Sequence, residues 1–338
     1  MSPNLDLLRA IAVLCVFFSH LYVTLVHEYT LIPHHFGQLG VIMFFVHTSL
    51  VLMLSLERIK LTGLALFQEF FIRRFFRIYP LSIACVLVAY FVPGAVWTLR
   101  ELMTNLTLTQ NLTYNRSMVG GLWTLPLELQ MYISLPFIYL WFRNKPVSWV
   151  VVLWLLSLPL AIIQPMVSER LGVVAYVPCF LGGVIAWRMK DSQRLSGWLW
   201  PLAILASAIP WMASEGNHML PRWITCLALG LAIPWFHDVP STWINTLSKT
   251  IAKYSYGIYL THVAVMAIAF KLMSHKPYLV QATAFLILAV TLPFLAFHLI
   301  ERPMISLGKQ IADKIVSRKF SSKMQFGTEN SKKIRSPR

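Results

Sequence analysis

The chain has 338 residues, of which 57% are hydrophobic and only 12% are charged. Soluble proteins carry roughly twice that charged fraction, and a soluble core of this size cannot bury so much apolar surface. The composition therefore excludes an ordinary soluble enzyme, a disordered chain and a collagen-like chain. It predicts an all-α, polytopic integral membrane protein.

Ten apolar segments approach the roughly 20 residues that a helix needs to cross a bilayer. They lie at about residues 5–27, 38–57, 78–97, 123–142, 147–165, 172–188, 197–213, 219–236, 255–274 and 278–300. We therefore predict about ten transmembrane helices. An even number of spans places both ends of the chain on the same side of the membrane.

The basic residues are distributed unevenly along this pattern. Ten of the 29 Lys and Arg lie from Arg302 onward, after the last apolar segment, and most others lie in short gaps between segments. This bias is typical of cytoplasmic loops rather than of a nucleic-acid groove, so we expect no nucleic-acid partner. It predicts that both termini are cytoplasmic in a multi-pass protein of the cell membrane, inner or plasma, and that the polar loop at about 98–122 lies outside.

The chain after the last span is basic and has two parts. Apolar residues at Met304, Leu307 and Ile311 recur at helical spacing between cationic ones, which predicts an interfacial helix reaching Phe320 against anionic lipid headgroups. The residues from Ser321 onward are polar and are predicted to be disordered. We therefore divide the chain into a membrane domain, 1–303, and a basic cytoplasmic tail, 304–338.

The first apolar segment contains Asp6, Arg9 and His20, and charges inside a membrane usually indicate function. Asp6 and Arg9 are three residues apart and can pair on one helix face. Arg9 and His20 are eleven apart, which places them on one face about 16 Å from each other. The alternative is a snorkelling arginine and a histidine that bonds to a neighbouring helix.

Further polar residues stand in or beside later spans. Arg73, Arg74 and Arg77 lie within little more than one helical turn, and guanidinium groups suit the oxygens of a phosphate. The alternative for this cluster is a stop-transfer charge. Glu128 is an intramembrane carboxylate in the fourth span, with Tyr132 one turn further on. A membrane enzyme with a polyanionic cosubstrate, or a proton-coupled transporter, could use such a set.

Five motifs of this chain, in order, resemble those of the acyltransferase 3 family of integral membrane acyltransferases. The first is the L-D-x-[LI]-R-[AG]-[IL]-A opening with a histidine that follows the arginine after ten residues. The next two are R-R-x-x-R-[IL]-x-P and W-[ST]-L-x-x-E-x-[QM]-[FY]-Y, and Y-G-I-Y-L-x-H and I-E-R-P complete the series. They stand at residues 5–20, 73–80, 123–132, 256–262 and 300–303.

The resemblance implies a membrane-bound O-acyltransferase that acylates a glycan or a lipid-linked sugar. It implies acyl-CoA, with acetyl-CoA as the expected form, as the cytoplasmic donor, and we expect no metal. Arg73, Arg74 and Arg77 are then the expected binding residues for coenzyme A. His20, Arg9 and Glu128 are the expected catalytic residues, with His20 either a general base or the carrier of the acyl group.

The second span departs from the family pattern. The family has an acidic residue where this chain has Ile42, and a Ser-Gly pair where it has Thr48 and Ser49. His47 is an additional polar residue in this span. The main alternative function is a proton-coupled multi-pass transporter, which would explain Glu128 and the spans but not the arginine cluster.

Overall fold

The computed structural model describes residues 2–27, 30–92, 94–216 and 218–315. Eleven α-helices account for most of these residues, and the described ranges contain no β-strand, which confirms the all-α prediction. The helices are α1 Pro3–Val26, α2 Leu31–Arg58, α3 Leu64–Phe91, α4 Leu99–Leu106, α5 Leu125–Phe142, α6 Val147–Val167, α7 Val173–Arg188, α8 Trp200–Met212, α9 Met219–Ala232, α10 Thr242–Met266 and α11 Tyr278–Leu295.

Six helical segments among the described residues are long and apolar enough to cross a membrane. They are Pro3–Val26, Leu31–Arg58, Leu64–Phe91, Val147–Val167, Thr242–Leu272 and Tyr278–Ile315. Helices α7, α8 and α9 are apolar but shorter, and the 13 residues of α8 rise only about 20 Å, less than the hydrocarbon thickness of a typical bilayer. The structure therefore supports a multi-pass membrane protein without confirming the count of ten spans.

The last helix continues well beyond the predicted end of its span. After a π-helical stretch, Ala296–Glu301, the chain stays helical to Ile315. Its extension packs on α3, where Asp313 pairs with Arg73 at 3.2 Å and Gly308 lies against Phe76. The predicted interfacial helix is thus joined to the preceding span as far as Ile315, and the remainder of the predicted tail lies outside the described residues.

Helix α1 packs between α2 and α10, and this arrangement positions the site. Gly40 of α2 lies so close to α1 that a Cβ atom there would approach the Ala12 carbonyl oxygen to 2.4 Å. Small residues allow such close contact between membrane helices. The other side of α1 contacts α10 at two places. Near the beginning of α1, Arg9 contacts Ser255, and nearer the end of α1, His20 contacts His262, which comes later in α10. The two helices therefore run in the same direction.

The predicted outer loop is an ordered structure. Thr98 and Glu101 form a capping box at the start of α4, and Arg116 reaches back to Glu101 at 3.0 Å. The Thr98 N–H and the Arg116 guanidinium hold the pKa of Glu101 below its usual value. The loop ends against α10, since a Cβ atom on Gly121 would lie 2.7 Å from the Tyr259 carbonyl oxygen.

Candidate active site

A cavity of about 90 Å³ lies between α1, α2, α3, α5 and α10, and polar side chains from each of these helices line it. Four of the six predicted site residues are in its wall: Arg9, Arg74, Arg77 and Glu128. The other two, Arg73 and His20, are not. The wall also contains His47, Thr48, Thr124, Tyr132, Ser255, Tyr256 and Tyr259.

Arg9 is held in the wall by α10. Its Nε donates a hydrogen bond to the Ser255 hydroxyl at 2.6 Å, and that hydroxyl donates in turn to the Ala252 carbonyl at 2.8 Å. Within the described residues no carboxylate oxygen, that of Asp6 included, lies within 4 Å of the Arg9 guanidinium. Arg9 therefore keeps donors for a ligand, and the Asp6–Arg9 pair that the spacing allows is not formed.

The three arginines of α3 have different surroundings. Arg77 pairs with the fully buried carboxylate of Glu301 at 2.5 Å and lies 5.4 Å from the centre of the Tyr256 ring. Arg73 pairs with Glu69 at 2.8 Å and with Asp313, away from the cavity. Arg74 faces the cavity and, in the part of the chain that the structure describes, has neither an ion pair nor a hydrogen bond. Arg74 is therefore the guanidinium most available to an anion.

Glu128 lies one helical turn before Tyr132 on α5 and accepts a hydrogen bond of 2.8 Å from the Tyr132 hydroxyl. Among the described residues, no arginine nitrogen lies within 4 Å of the Glu128 carboxylate, and no imidazole donates to it. Glu128 and Arg9, which could have formed an ion pair between α5 and α1, do not do so. Glu128 presents a carboxylate to the cavity with tyrosine as its hydrogen-bond partner.

His20 is not in the cavity wall, and its ring lies against that of a second histidine, His262 of α10. The two ring centres are 4.9 Å apart. The His262 Nδ1 bonds the Tyr259 carbonyl oxygen at 2.7 Å, which requires a proton on Nδ1 and leaves Nε2 as an acceptor in the neutral ring. Buried His262 Nε2 has no hydrogen-bond partner among the residues described.

Tyr259 joins the cavity to this histidine pair. Its ring lines the cavity and lies 6.1 Å from the centre of the His262 ring. Its hydroxyl is 2.8 Å from the Thr124 hydroxyl, at the beginning of α5. Cavity and histidines are therefore neighbouring parts of one polar region inside an apolar helical bundle, which is the environment in which buried polar groups usually serve function.

Residues 2–298 match the model of an acyltransferase domain, and this match covers nearly the whole chain. The chain belongs to the acyltransferase 3 family. No curated protein and no solved structure matches it. Family membership confirms the resemblance drawn from the five motifs and shows a membrane acyltransferase rather than the transporter considered as an alternative.

Several wall residues of this acyltransferase were not among the predicted site residues. Ser255, Tyr256 and Tyr259 of the wall lie along one side of α10, at the spacing of a helix face, and His262 continues this side beyond the wall. The sequence contained this signal, because hydroxyl and imidazole groups at such spacing on an apolar span share one environment. Without the neighbouring helices, however, nothing in the sequence indicated that this face meets Arg9 and His20.

His47 shows where the departure of α2 from the family pattern lies in space. The side chain lines the cavity and is 2% exposed, and its Nε2 has no partner among the described residues. The departure from the family pattern therefore adds an imidazole to the groups that line the cavity. In the part of the chain that the structure describes, no three His, Cys, Asp or Glu side chains form a group that could hold a metal ion.

Proposed function

We propose that this membrane acyltransferase transfers an acyl group, expected to be acetyl, from cytoplasmic acyl-CoA to a hydroxyl of a glycan or lipid-linked sugar. The observation that carries the proposal is the cavity, whose wall combines unpaired guanidinium donors of Arg9 and Arg74 with the Glu128 carboxylate and reaches the two histidines through Tyr259. A thioester donor with phosphates needs cations at one end and an acid–base group at the other.

In this proposal Arg74 and Arg77 bind the diphosphate of the donor, and the pantetheine arm extends past Tyr259 toward His20. If His20 is a base, it accepts the proton of the acceptor hydroxyl while the oxygen of that hydroxyl attacks the thioester carbonyl. A carbon–oxygen bond forms, the carbon–sulfur bond breaks, and coenzyme A leaves as a thiolate that takes up the proton. As a nucleophile, His20 would first carry the acyl group itself. Both routes lead to the same product.

The proposal is tested with purified protein in lipid nanodiscs, supplied with isotope-labelled acetyl-CoA and a lipid-linked sugar fraction. We expect release of free coenzyme A and appearance of the label on the sugar. Mass spectrometry of surface glycans from cells with and without the gene should show the matching loss of acetyl groups. Donor turnover without any acylated glycan, lipid or sugar in either experiment would contradict the proposed acceptor.

Arg74→Lys should raise the KM for acyl-CoA by about tenfold, because lysine keeps the charge but loses the planar pair of donors that fits a phosphate. Arg77→Lys should do the same and should also lower thermal stability, because the Glu301 carboxylate is fully buried. Arg73→Lys should have a smaller effect, since Arg73 already pairs with Glu69 and Asp313.

The control for these variants is Arg58→Lys, an exposed arginine at the end of α2, for which we expect an unchanged KM. The KM values of the variants and of the control are compared from initial rates measured at varied acyl-CoA concentration and a fixed acceptor concentration. A KM that changes for the acceptor and not for the donor would place Arg74 on the sugar side of the cavity.

We expect the outer loop and the chain's end to lie on opposite sides of the membrane. A reporter fused at Asn111 should report the outside, and one at Gly327, which lies beyond the described residues, should report the cytoplasm. Phosphatase and fluorescent-protein fusions give complementary signals for the two sides. A cytoplasmic signal at Asn111 would reverse the orientation and place the arginines away from a cytoplasmic donor.

A further inference from the structure

A second, larger cavity of about 620 Å³ lies where α1 and α10 begin. We call it the vestibule. Arg9 and Arg77 line both this vestibule and the cavity of about 90 Å³ described above, which we call the inner cavity. The two spaces therefore share a wall. The vestibule is also lined by Pro3, Asp6, Thr242, Asn245, Thr246, Lys249, Ala252, Lys253 and Phe297.

The vestibule is formed by one face of each helix. On α10, Thr242, Asn245, Thr246 and Lys249 follow each other at intervals of three, one and three residues, which is one helical face, and Lys253 continues it. On α1 the wall residues recur every third position, from Pro3 through Asp6 to Arg9. Hydroxyl, amide and ammonium groups therefore surround one space at the end of an otherwise apolar bundle.

The vestibule has an excess of positive charge. Lys249 has no carboxylate oxygen within 4 Å among the described residues, and Lys253 lies over the rings of Tyr254 and Phe297 at 4.8 and 4.9 Å from their centres. Asp6 is the one acidic residue in the wall, and it faces Arg9 and Lys249. Arg77 is neutralised by Glu301, so three cations remain against one carboxylate.

We infer that Lys249 and Lys253 bind the ribose phosphate of coenzyme A, while the diphosphate lies deeper, between Arg9, Arg74 and Arg77. This inference rests on the proposed acyl-CoA donor and adds a second phosphate site to it. The ribose phosphate is separated from the diphosphate along the nucleotide, and the two lysines line the vestibule whereas Arg74 lines the inner cavity. Lys249 precedes Ser255, the partner of Arg9, by six residues, or about 9 Å of helix.

A nucleotide fits this vestibule better than a lipid headgroup does. The Asn245 Oδ1 is buried and has no hydrogen-bond partner among the described residues, so it can accept a hydrogen bond from a ribose or a base. The Thr246 hydroxyl donates to the Thr242 carbonyl and can still accept one. Because Arg9 and Arg77 line both spaces, a molecule bound in the vestibule meets the same two arginines that line the inner cavity. A lipid headgroup would need the charges but not the contact with these two arginines.

The test compares coenzyme A with dephospho-coenzyme A, which lacks only the ribose phosphate. Calorimetric binding is measured in phosphatidylcholine nanodiscs for the unaltered protein, for the double variant Lys249→Ala with Lys253→Ala, and for Lys60→Ala. Lys60 is an exposed lysine between α2 and α3 and is the matched control. We expect the double variant to weaken coenzyme A binding about tenfold.

The decisive comparison is between the two ligands. In the unaltered protein, loss of the ribose phosphate should weaken binding about tenfold, whereas the double variant should bind both ligands equally. A double variant that still prefers coenzyme A over the dephospho form would overturn the inference and leave the donor intact. Failure of the unaltered protein to bind coenzyme A at all would instead remove the donor, and the inference with it.

A second experiment distinguishes a lipid headgroup from coenzyme A as the source of the phosphate that the two lysines bind. Nanodiscs that contain phosphatidylglycerol are compared with phosphatidylcholine nanodiscs by thermal unfolding. A stabilisation by phosphatidylglycerol that the double variant loses, together with unchanged coenzyme A affinity, would assign the lysines to a lipid headgroup and overturn the inference. Equal lipid effects on the variant and the unaltered protein support the nucleotide assignment.

Discussion

His20→Ala should reduce acyl transfer by about 100-fold or more, the usual effect of removing a general base or a nucleophile. The centre of the His20 ring lies 4.9 Å from that of His262, whose ring lies 6.1 Å from that of the wall residue Tyr259. Alanine leaves α1 intact because it is a good helix former and the side chain is only partly buried. The measurement is the initial rate of label transfer at equal amounts of inserted protein.

The control is His275→Ala, an exposed histidine in the turn before α11, which should transfer normally. His262→Ala tests the pair further, because loss of the neighbouring imidazole should alter the pH profile of transfer if His262 positions His20. Transfer by His20→Ala at the unaltered rate would show that His20 is structural and would remove it from the mechanism.

The same variant separates the two routes for His20. If His20 carries the acyl group, the unaltered protein without acceptor should take up one label that hydroxylamine releases, and His20→Ala should take up none. If His20 is a base, neither protein should be labelled. Rapid quenching followed by mass spectrometry of peptides from α1 gives the answer.

Glu128→Gln should accumulate normally in the membrane and lose most of its activity, by about 100-fold. The amide keeps the size of the side chain and can still accept the hydrogen bond from Tyr132, so the contact at 2.8 Å survives. No arginine within 4 Å depends on the carboxylate for charge balance in the described residues, so its loss breaks no ion pair. The substitution removes the side chain's capacity to ionise and to exchange a proton, and it replaces one carboxylate oxygen by an NH2 donor.

Two comparisons sharpen this prediction. Glu57→Gln removes a carboxylate that pairs with Lys190 outside the cavity, and its transfer rate should be unchanged. Tyr132→Phe removes the hydroxyl partner of Glu128 and should reduce activity less than Glu128→Gln does. Thermal unfolding in detergent accompanies each rate. A Glu128→Gln protein with full activity would remove Glu128 from the site, and one that is active but unstable would make it structural.

The fold class and part of the candidate site could be predicted from the sequence. Mean hydropathy and the scarcity of charge determine an all-helical membrane protein, because only helices satisfy backbone hydrogen bonds along long apolar segments in lipid. The five motifs determine the family. The spacing of Arg9 and His20 also determines that both lie on one face of α1, since helix geometry fixes relative angle and rise along a single element.

The tertiary structure decided which residues meet. Spacing alone grouped Arg73 with Arg74 and Arg77, but packing of α3 against the extension of α11 draws Arg73 to Asp313 and leaves Arg74 facing the cavity. The packing of α1 against α10 also places His20 against His262 rather than in the cavity wall. A sequence determines angles along one helix, whereas contacts between helices depend on how side chains from distant segments pack together.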